Sequence, residues 1–206
     1  MVASMEREEW DERYASHELL WHAEPNRFVV EEVGDLAPGT ALDLACGEGR
    51  NAVWLAEQGW RATGVDFSAV ALAKGRRMAE QRGVTVEWIE ADLREWEPPD
   101  RFDLVIVMYL HLPEQTRQAT FAAAARAVAP GGTILVVGHD RENLTAGTGG
   151  PQDETVLFTA AEVVGVLDAV GGFTIRRAEQ VRRQVETEEG PVDALDALVR
   201  AERTAA

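Results

Sequence analysis

The chain is poor in cysteine, in tyrosine and in positive charge, and each shortage narrows what it can be. Of its 206 residues only Cys46 is a cysteine, so no internal disulfide can form and nothing points to an oxidising compartment. Lysine and arginine number 20 against 36 acids, a formal net charge of −16. Such a surface repels phosphate backbones and anionic bilayers, so neither a nucleic-acid nor a membrane partner is expected. The longest uninterrupted apolar run, Leu104–Leu110, is far short of the ~20 residues that span a bilayer. The first ten residues, Met-Val-Ala-Ser-Met-Glu-Arg-Glu-Glu-Trp, contain no apolar signal-peptide core, so the expected location is cytoplasmic. His17, His22, His111 and His139 have no zinc-type spacing, and no metal site is expected. The one basic cluster, Arg176, Arg177, Arg182 and Arg183, is followed by Glu186, Glu188 and Glu189 and reads as a solvated strand edge.

What is present is an alternation of short apolar runs with helical patterns, the mark of a mostly parallel α/β sheet. Strands are expected at Ala41–Ala45, Ala62–Val65, Val84–Ile89, Phe102–Met108, Thr133–Val137, Phe173–Ala178 and Ala194–Arg200. Helices are expected at Asn51–Gln58, Ala69–Gln81, Glu114–Val128 and Ala160–Val170, the second capped by Ser68 and the third stopped by Pro130-Gly-Gly132. Only a short acidic Gly-Pro connection, Glu186–Pro191, separates the last two strands. A parallel crossover needs a dozen or more residues, so the last strand should be antiparallel. At this length the whole of 1–206 is one domain, with an amphipathic helical segment (1–35) ahead of a Rossmann-like, seven-stranded core (36–206) carrying helices on both faces.

The most specific pattern is Ala41-Leu-Asp-Leu-Ala-Cys-Gly-Glu-Gly49 followed by Ala62-Thr-Gly-Val-Asp66. A strand ends in a Gly-x-Gly turn, and a second strand ends in an acid suited to two ribose hydroxyls: a nucleoside site at strand tips. Gly47-Glu-Gly-Arg-Asn-Ala52 also satisfies the dinucleotide pattern Gly-x-Gly-x-x-Ala, which keeps an NAD(P)-dependent oxidoreductase open. Asp43, inside the first strand, argues for a ligand with a cationic end, because a pyrophosphate there would meet another anion; bulky Arg50 and Asn51 also crowd the turn. Adenosine at one end and an amino acid at the other describes S-adenosylmethionine.

With these residues the chain resembles the class I S-adenosylmethionine-dependent methyltransferases over nearly its whole length. Leu42-Asp-Leu-Ala-Cys-Gly-Glu-Gly49 is similar to their first motif, with Ala45 in place of the usual first glycine. Gly64-Val-Asp66-Phe-Ser68, Ala91-Asp92-Leu93, Phe102–Tyr109 and Ala129-Pro-Gly-Gly132 resemble the next four, in order. Cys46-Gly-Glu-Gly-Arg-Asn51 and Trp10-Asp-Glu-Arg-Tyr14 are similar to the tellurite-resistance and thiopurine branch, whose members act on small molecules beneath a helical N-terminal cover. The resemblance implies S-adenosylmethionine as donor, S-adenosylhomocysteine as product, a small-molecule methyl acceptor, and in-line displacement at the sulfonium methyl by a monomer or homodimer. A cofactor-binding protein without catalysis is the other alternative.

Asp66 is the expected ribose ligand, with Phe67 and Ser68 beside it; Gly47 and Gly49 allow close approach, and Asp43 meets the cofactor directly or through the loop. The resemblance assigns Asp92 to the adenine amino group and Leu93 to the adenine slot. Met108 and Tyr109 end the fourth strand on the ligand side, and Tyr14 and Trp21 are aromatic contacts from the N-terminal segment. Cys46 lacks a neighbouring histidine and reads as a small buried residue. His139 and His111 follow strand tips bordering the acceptor and are the candidate bases, since an imidazole titrates near neutrality. The Gly-rich stretch Asp140–Leu157 is expected to close over the acceptor pocket.

Overall fold

A computed structural model describes residues 6–20, 22–187 and 190–205. Two helices, α1 (Arg7–Ala15) and α2 (Arg27–Val33), precede the alternating region. There follow β1 (Thr40–Leu44), α3 (Arg50–Glu57), β2 (Arg61–Asp66), α4 (Ala69–Arg82), β3 (Glu87–Glu90), β4 (Phe102–Met108), α5 (Glu114–Arg126) and β5 (Val128–His139). The chain ends with α6 (Asn143–Ala146), a short 3-10 turn at Glu154–Val156, α7 (Ala160–Val170) and the hairpin β6 (Phe173–Thr187) and β7 (Gly190–Arg203).

The seven strands lie in the order β3-β2-β1-β4-β5-β7-β6. All pairings are parallel except the two made by β7, which is antiparallel to β5 and to β6. The last strand in sequence is therefore antiparallel, as its short connection requires, but it slots between β5 and β6 instead of closing the edge. Side-chain alternation splits the core into two layers. Ala41, Leu104, Ile106 and Met108 join α2, α3 and α4 on one face, whereas Leu42, Leu44, Val105 and Val107 join α5 and α7 on the other. Each fully buried valine, leucine or isoleucine among them contributes ~1.5–3 kcal/mol. Among the described residues no helix is long and apolar enough to cross a membrane.

Several boundaries differ from the sequence expectation. β1 stops at Leu44 because Ala45 is left-handed (φ 56°). β3 is confined to Glu87–Glu90, and β5 starts at Val128, absorbing Ala129–Gly132 through a register shift against β4. The largest difference is the hairpin. Glu186, Thr187, Gly190 and Pro191, expected in a loop, continue the β6–β7 ladder to the pair Thr187↔Gly190. Because β7 runs against β5, with His139 opposite Asp196, the half of the hairpin before Asp196 projects past the ligand-side strand tips. It forms a wall beside the crevice where β1 and β4 diverge toward opposite edges of the sheet, the place where open α/β sheets hold ligands.

Candidate functional site

Three of the five residues from Ala45 to Gly49 are left-handed (Ala45 φ 56°, Gly47 φ 55°, Gly49 φ 76°), which turns the chain sharply from β1 into α3. Asp43 lies beneath this loop, 1% exposed, and among the described residues neither carboxylate oxygen has a well-aligned hydrogen-bond partner. Burial first, and Asp66 second, push its pKa up to about 8 despite the nearby Ala52 amide and Arg50. Such a group gains from any cation that reaches it. Arg50, the first residue of α3, is half-buried and has no ion-pair partner among the described residues. An orphaned carboxyl and an unpaired guanidinium at one loop suit the ammonium and carboxylate of an amino acid, so these residues fit the methionine end of S-adenosylmethionine.

Asp66 Oδ2 accepts from the Gly47 amide (2.8 Å) and Oδ1 from the Ser68 amide (2.9 Å). The carboxylate thus ties the glycine loop to β2, and each oxygen keeps a lone pair for a further donor. Burial raises its pKa and those two amides oppose the rise. Ser68 Oγ accepts from Ala71 N, capping α4 as its sequence position requires, and meets the Asp11 carboxylate of α1. A Cβ on Gly47 would lie 2.8 Å from the Tyr14 hydroxyl, so α1 rests directly on the loop. Lys74 holds that arrangement from below: its buried Nζ donates to Tyr14 O (2.5 Å), His17 O (2.7 Å) and Glu48 Oε1 (2.9 Å). The Phe67 ring lies under the Arg7 guanidinium at 6.0 Å.

Two expected cofactor residues also make contacts within the protein itself. Trp88 on β3 fills the space left by Gly49, Gly64 and Gly75, where added Cβ atoms would fall 2.2, 2.8 and 2.7 Å from its indole. Gly49 is therefore required by internal packing as well as by its positive φ. Asp92 accepts from Arg94 Nη2 (2.6 Å), which holds its pKa below the usual carboxylate range, and Arg94 reaches on to Glu6. Leu93 packs against the core layer of α5 and α7, and Met108 is buried at the β4 tip. Trp21 lies outside the described residues.

The other end of the crevice holds a cluster assembled from four elements. Tyr109, left-handed at φ 57°, ends β4 and donates from its hydroxyl to Asp196 Oδ2 (2.7 Å). Arg183 Nε on β6 donates to the same oxygen (2.9 Å) and lies 3.2 Å from the Tyr109 hydroxyl. His139 Nδ1 at the β5 tip is 3.1 Å from Asp196 Oδ1. The His111 ring stacks on His139, with centroids 5.3 Å apart, and its Nε2 accepts from the His139 amide (3.2 Å). Burial, and then His139, lower the His111 pKa to about 3, so it stays neutral with its acceptor nitrogen committed. His111 thus anchors the loop, and His139 is the candidate left to move a proton. Burial and the neighbouring Asp196 hold the Tyr109 phenol above its ordinary range.

Sequence reasoning missed Asp196, Arg183 and Trp88. Asp196 had a signal, a lone acid within the apolar run Ala194-Leu-Asp-Ala-Leu198, now fully buried. Arg183 was grouped with a solvated edge. Arg176, Arg177 and Arg182 do form surface pairs, but Arg183 turns inward. The stretch after β5 carries α6 and a 3-10 turn and packs on the cluster: a Cβ on Gly150 (φ 74°) would lie 2.7 Å from His139 Nε2.

Residues 41–132 match the family model described as a methyltransferase domain. The 2-heptyl-1-hydroxyquinolin-4(1H)-one methyltransferase of Mycobacteroides abscessus is 32% identical over 117 residues, covering 55% of this chain and 52% of that one. The demethylmenaquinone methyltransferase of Thermus thermophilus is 35% identical over 123 residues, covering 58% and 54%. The chain thus spans about half the length of the curated relatives it matches. Among solved structures, TehB from Haemophilus influenzae superposes with a TM-score of 0.73 at 17% identity, covering 96% of this chain and 67% of that one. The N-methyltransferase NodS from Bradyrhizobium japonicum, crystallised with S-adenosylhomocysteine, gives 0.71 at 16% identity, covering 96% and 97%. The family match runs from β1 to the start of β5, and the fold is shared with TehB and NodS along almost the whole chain.

Proposed function

We propose that the chain transfers a methyl group from S-adenosylmethionine to a small-molecule acceptor bound between the β4 and β5 tips and the β6–β7 hairpin. The observation that carries this reading is the juxtaposition at the glycine loop of a buried carboxyl, Asp43, and a guanidinium, Arg50, that lack side-chain partners among the described residues. The names of the relatives, a 2-heptyl-1-hydroxyquinolin-4(1H)-one methyltransferase and a demethylmenaquinone methyltransferase, support a small organic acceptor. A net charge of −16 disfavours nucleic acid, and we take the site of action to be the cytoplasm.

The cofactor supplies a methyl group already activated on a sulfonium. The protein holds the donor's amino acid through Asp43 and Arg50 and the ribose through Asp66. The α1 cover, with Tyr14 against Gly47, excludes water above the loop. Alignment of the reactants supplies up to ~7–11 kcal/mol of barrier lowering. His139 receives whatever proton the acceptor loses. Incubation with methyl-labelled S-adenosylmethionine and a panel of small phenols, thiols and amines tests the reading. Label transfer to a panel member supports it. Binding of NAD(P), but not of S-adenosylhomocysteine, in a thermal-shift screen would replace it with the oxidoreductase reading.

A further inference from the structure

We propose that Asp196 is a positioning residue that keeps the His139 proton on Nδ1, leaving Nε2 to take the proton of an acceptor hydroxyl, so that the acceptor is a phenol or enol. This rests on the methyl-transfer reading above.

Asp196 is fully buried, and its Oδ2 is saturated by Tyr109 Oη–H and Arg183 Nε–H. Its Oδ1 lies 3.1 Å from His139 Nδ1. That contact is short but off-line for a hydrogen bond, and neither atom has another hydrogen-bond partner among the described residues. Two buried polar atoms so placed each cost free energy until they pair, and a small rotation of the imidazole aligns them. Catalytic hydrogen bonds are commonly loose until substrate binds. A carboxylate can only accept, so the proton between the two atoms sits on Nδ1 and Nε2 carries the lone pair. Gly150 of the Gly-rich loop packs on the His139 ring beside Cδ2 and Nε2.

The charges agree with this assignment. The groups around His139 are Asp196 from β7, Arg183 from β6, Tyr109 from β4, the neutral His111 and the adjacent Asp140. Burial would raise the Asp196 pKa, but His139, Arg183 and Tyr109 together hold it below the usual range, so it is anionic. Arg183 balances that charge at rest, and Asp196 stabilises the imidazolium that forms when Nε2 is protonated. In the reaction the hydroxyl proton passes to Nε2 and an oxygen lone pair forms the new bond to the methyl carbon. The sulfur keeps the electron pair of the broken C–S bond, giving S-adenosylhomocysteine, and the imidazolium returns its proton to solvent. A hydroxyl needs this help because its neutral oxygen is a weak nucleophile.

The test reads the tautomer directly, by long-range proton–nitrogen NMR of histidine-labelled full-length protein at alkaline pH, with His139 assigned by loss of its signals in His139→Gln. The expected result is a protonated Nδ1 and a pyridine-type Nε2. In Asp196→Asn the amide oxygen must face Tyr109 and Arg183, both donors, so the NH2 faces Nδ1 and the proton should move to Nε2. Turnover of a phenolic acceptor should then fall ~10²–10⁴-fold, with S-adenosylhomocysteine affinity within twofold. A wild-type proton on Nε2, or an unchanged tautomer in Asp196→Asn, would overturn the proposal. Should Asp196→Asn fail to fold, the wild-type tautomer decides, together with Tyr109→Phe, which should keep the Nδ1 proton because Arg183 still holds Oδ2. If wild-type protein does not bind S-adenosylhomocysteine, the methyl-transfer reading fails on its own and the tautomer result stands apart from it.

Discussion

Cofactor binding should expel a proton from Asp43. With its pKa at about 8, this carboxyl is about nine-tenths protonated at pH 7 in the cofactor-free protein. An ammonium seated against it restores the ionised form, so S-adenosylhomocysteine should displace just under one proton per site. Because only the ionised fraction meets the ligand, affinity should rise about ninefold from pH 6 to pH 7 and level off only above pH 8. Titration calorimetry in buffers of different ionisation enthalpy reads the proton count directly. In Asp43→Asn the proton release and the pH slope should both vanish. The same shift has a sign for stability: the folded pKa exceeds the unfolded one, so this group's contribution is complete below about pH 4 and is lost as the pH rises toward 8. Tight binding with no proton release at pH 7 would refute the placement of the ammonium at Asp43.

Ala45 should be improvable. As an alanine in a left-handed conformation (φ 56°) it carries ~1–2 kcal/mol of strain, against ~0.5–1 kcal/mol of added chain entropy for glycine, so Ala45→Gly should raise the urea unfolding free energy by up to ~1 kcal/mol; a loss of stability would show that the Ala45 side chain is needed where it lies. His111 should make the protein acid-sensitive. Its folded pKa of about 3 lies below the ordinary histidine value, so the stability it provides is complete above about pH 6.5 and is lost as the pH falls toward 3. Replacing it by Gln should flatten the fall in urea midpoint between pH 7 and pH 4, and an unchanged slope would contradict its buried, neutral state.

The residues proposed to hold the cofactor could be singled out in sequence because they are local. Asp43, Gly47 and Asp66 each sit at a strand end, and strand ends follow from apolar runs and turn residues. The acceptor half was only partly legible. His139 and Tyr109 could be placed at strand tips, but their shared partner Asp196 arrives through a hairpin pairing 57 residues later, and register across a sheet is a tertiary property. Arg183 was misread for the same reason: alternation along β6 turns one arginine of an adjacent pair inward and the other outward, and the sequence does not say which. Trp88 illustrates a different loss. Gly49 reads in sequence as a concession to a ligand, whereas an indole from the neighbouring strand also occupies the space it leaves.

The central claim is that the glycine loop, Asp43 and Asp66 form a seat for S-adenosylmethionine, and equilibrium dialysis of the labelled compound against purified protein tests it most directly. The account predicts one equivalent retained per chain, displaced by S-adenosylhomocysteine and not by NAD, with retention sharply reduced in Asp66→Ala. No retention by folded wild-type protein would contradict it.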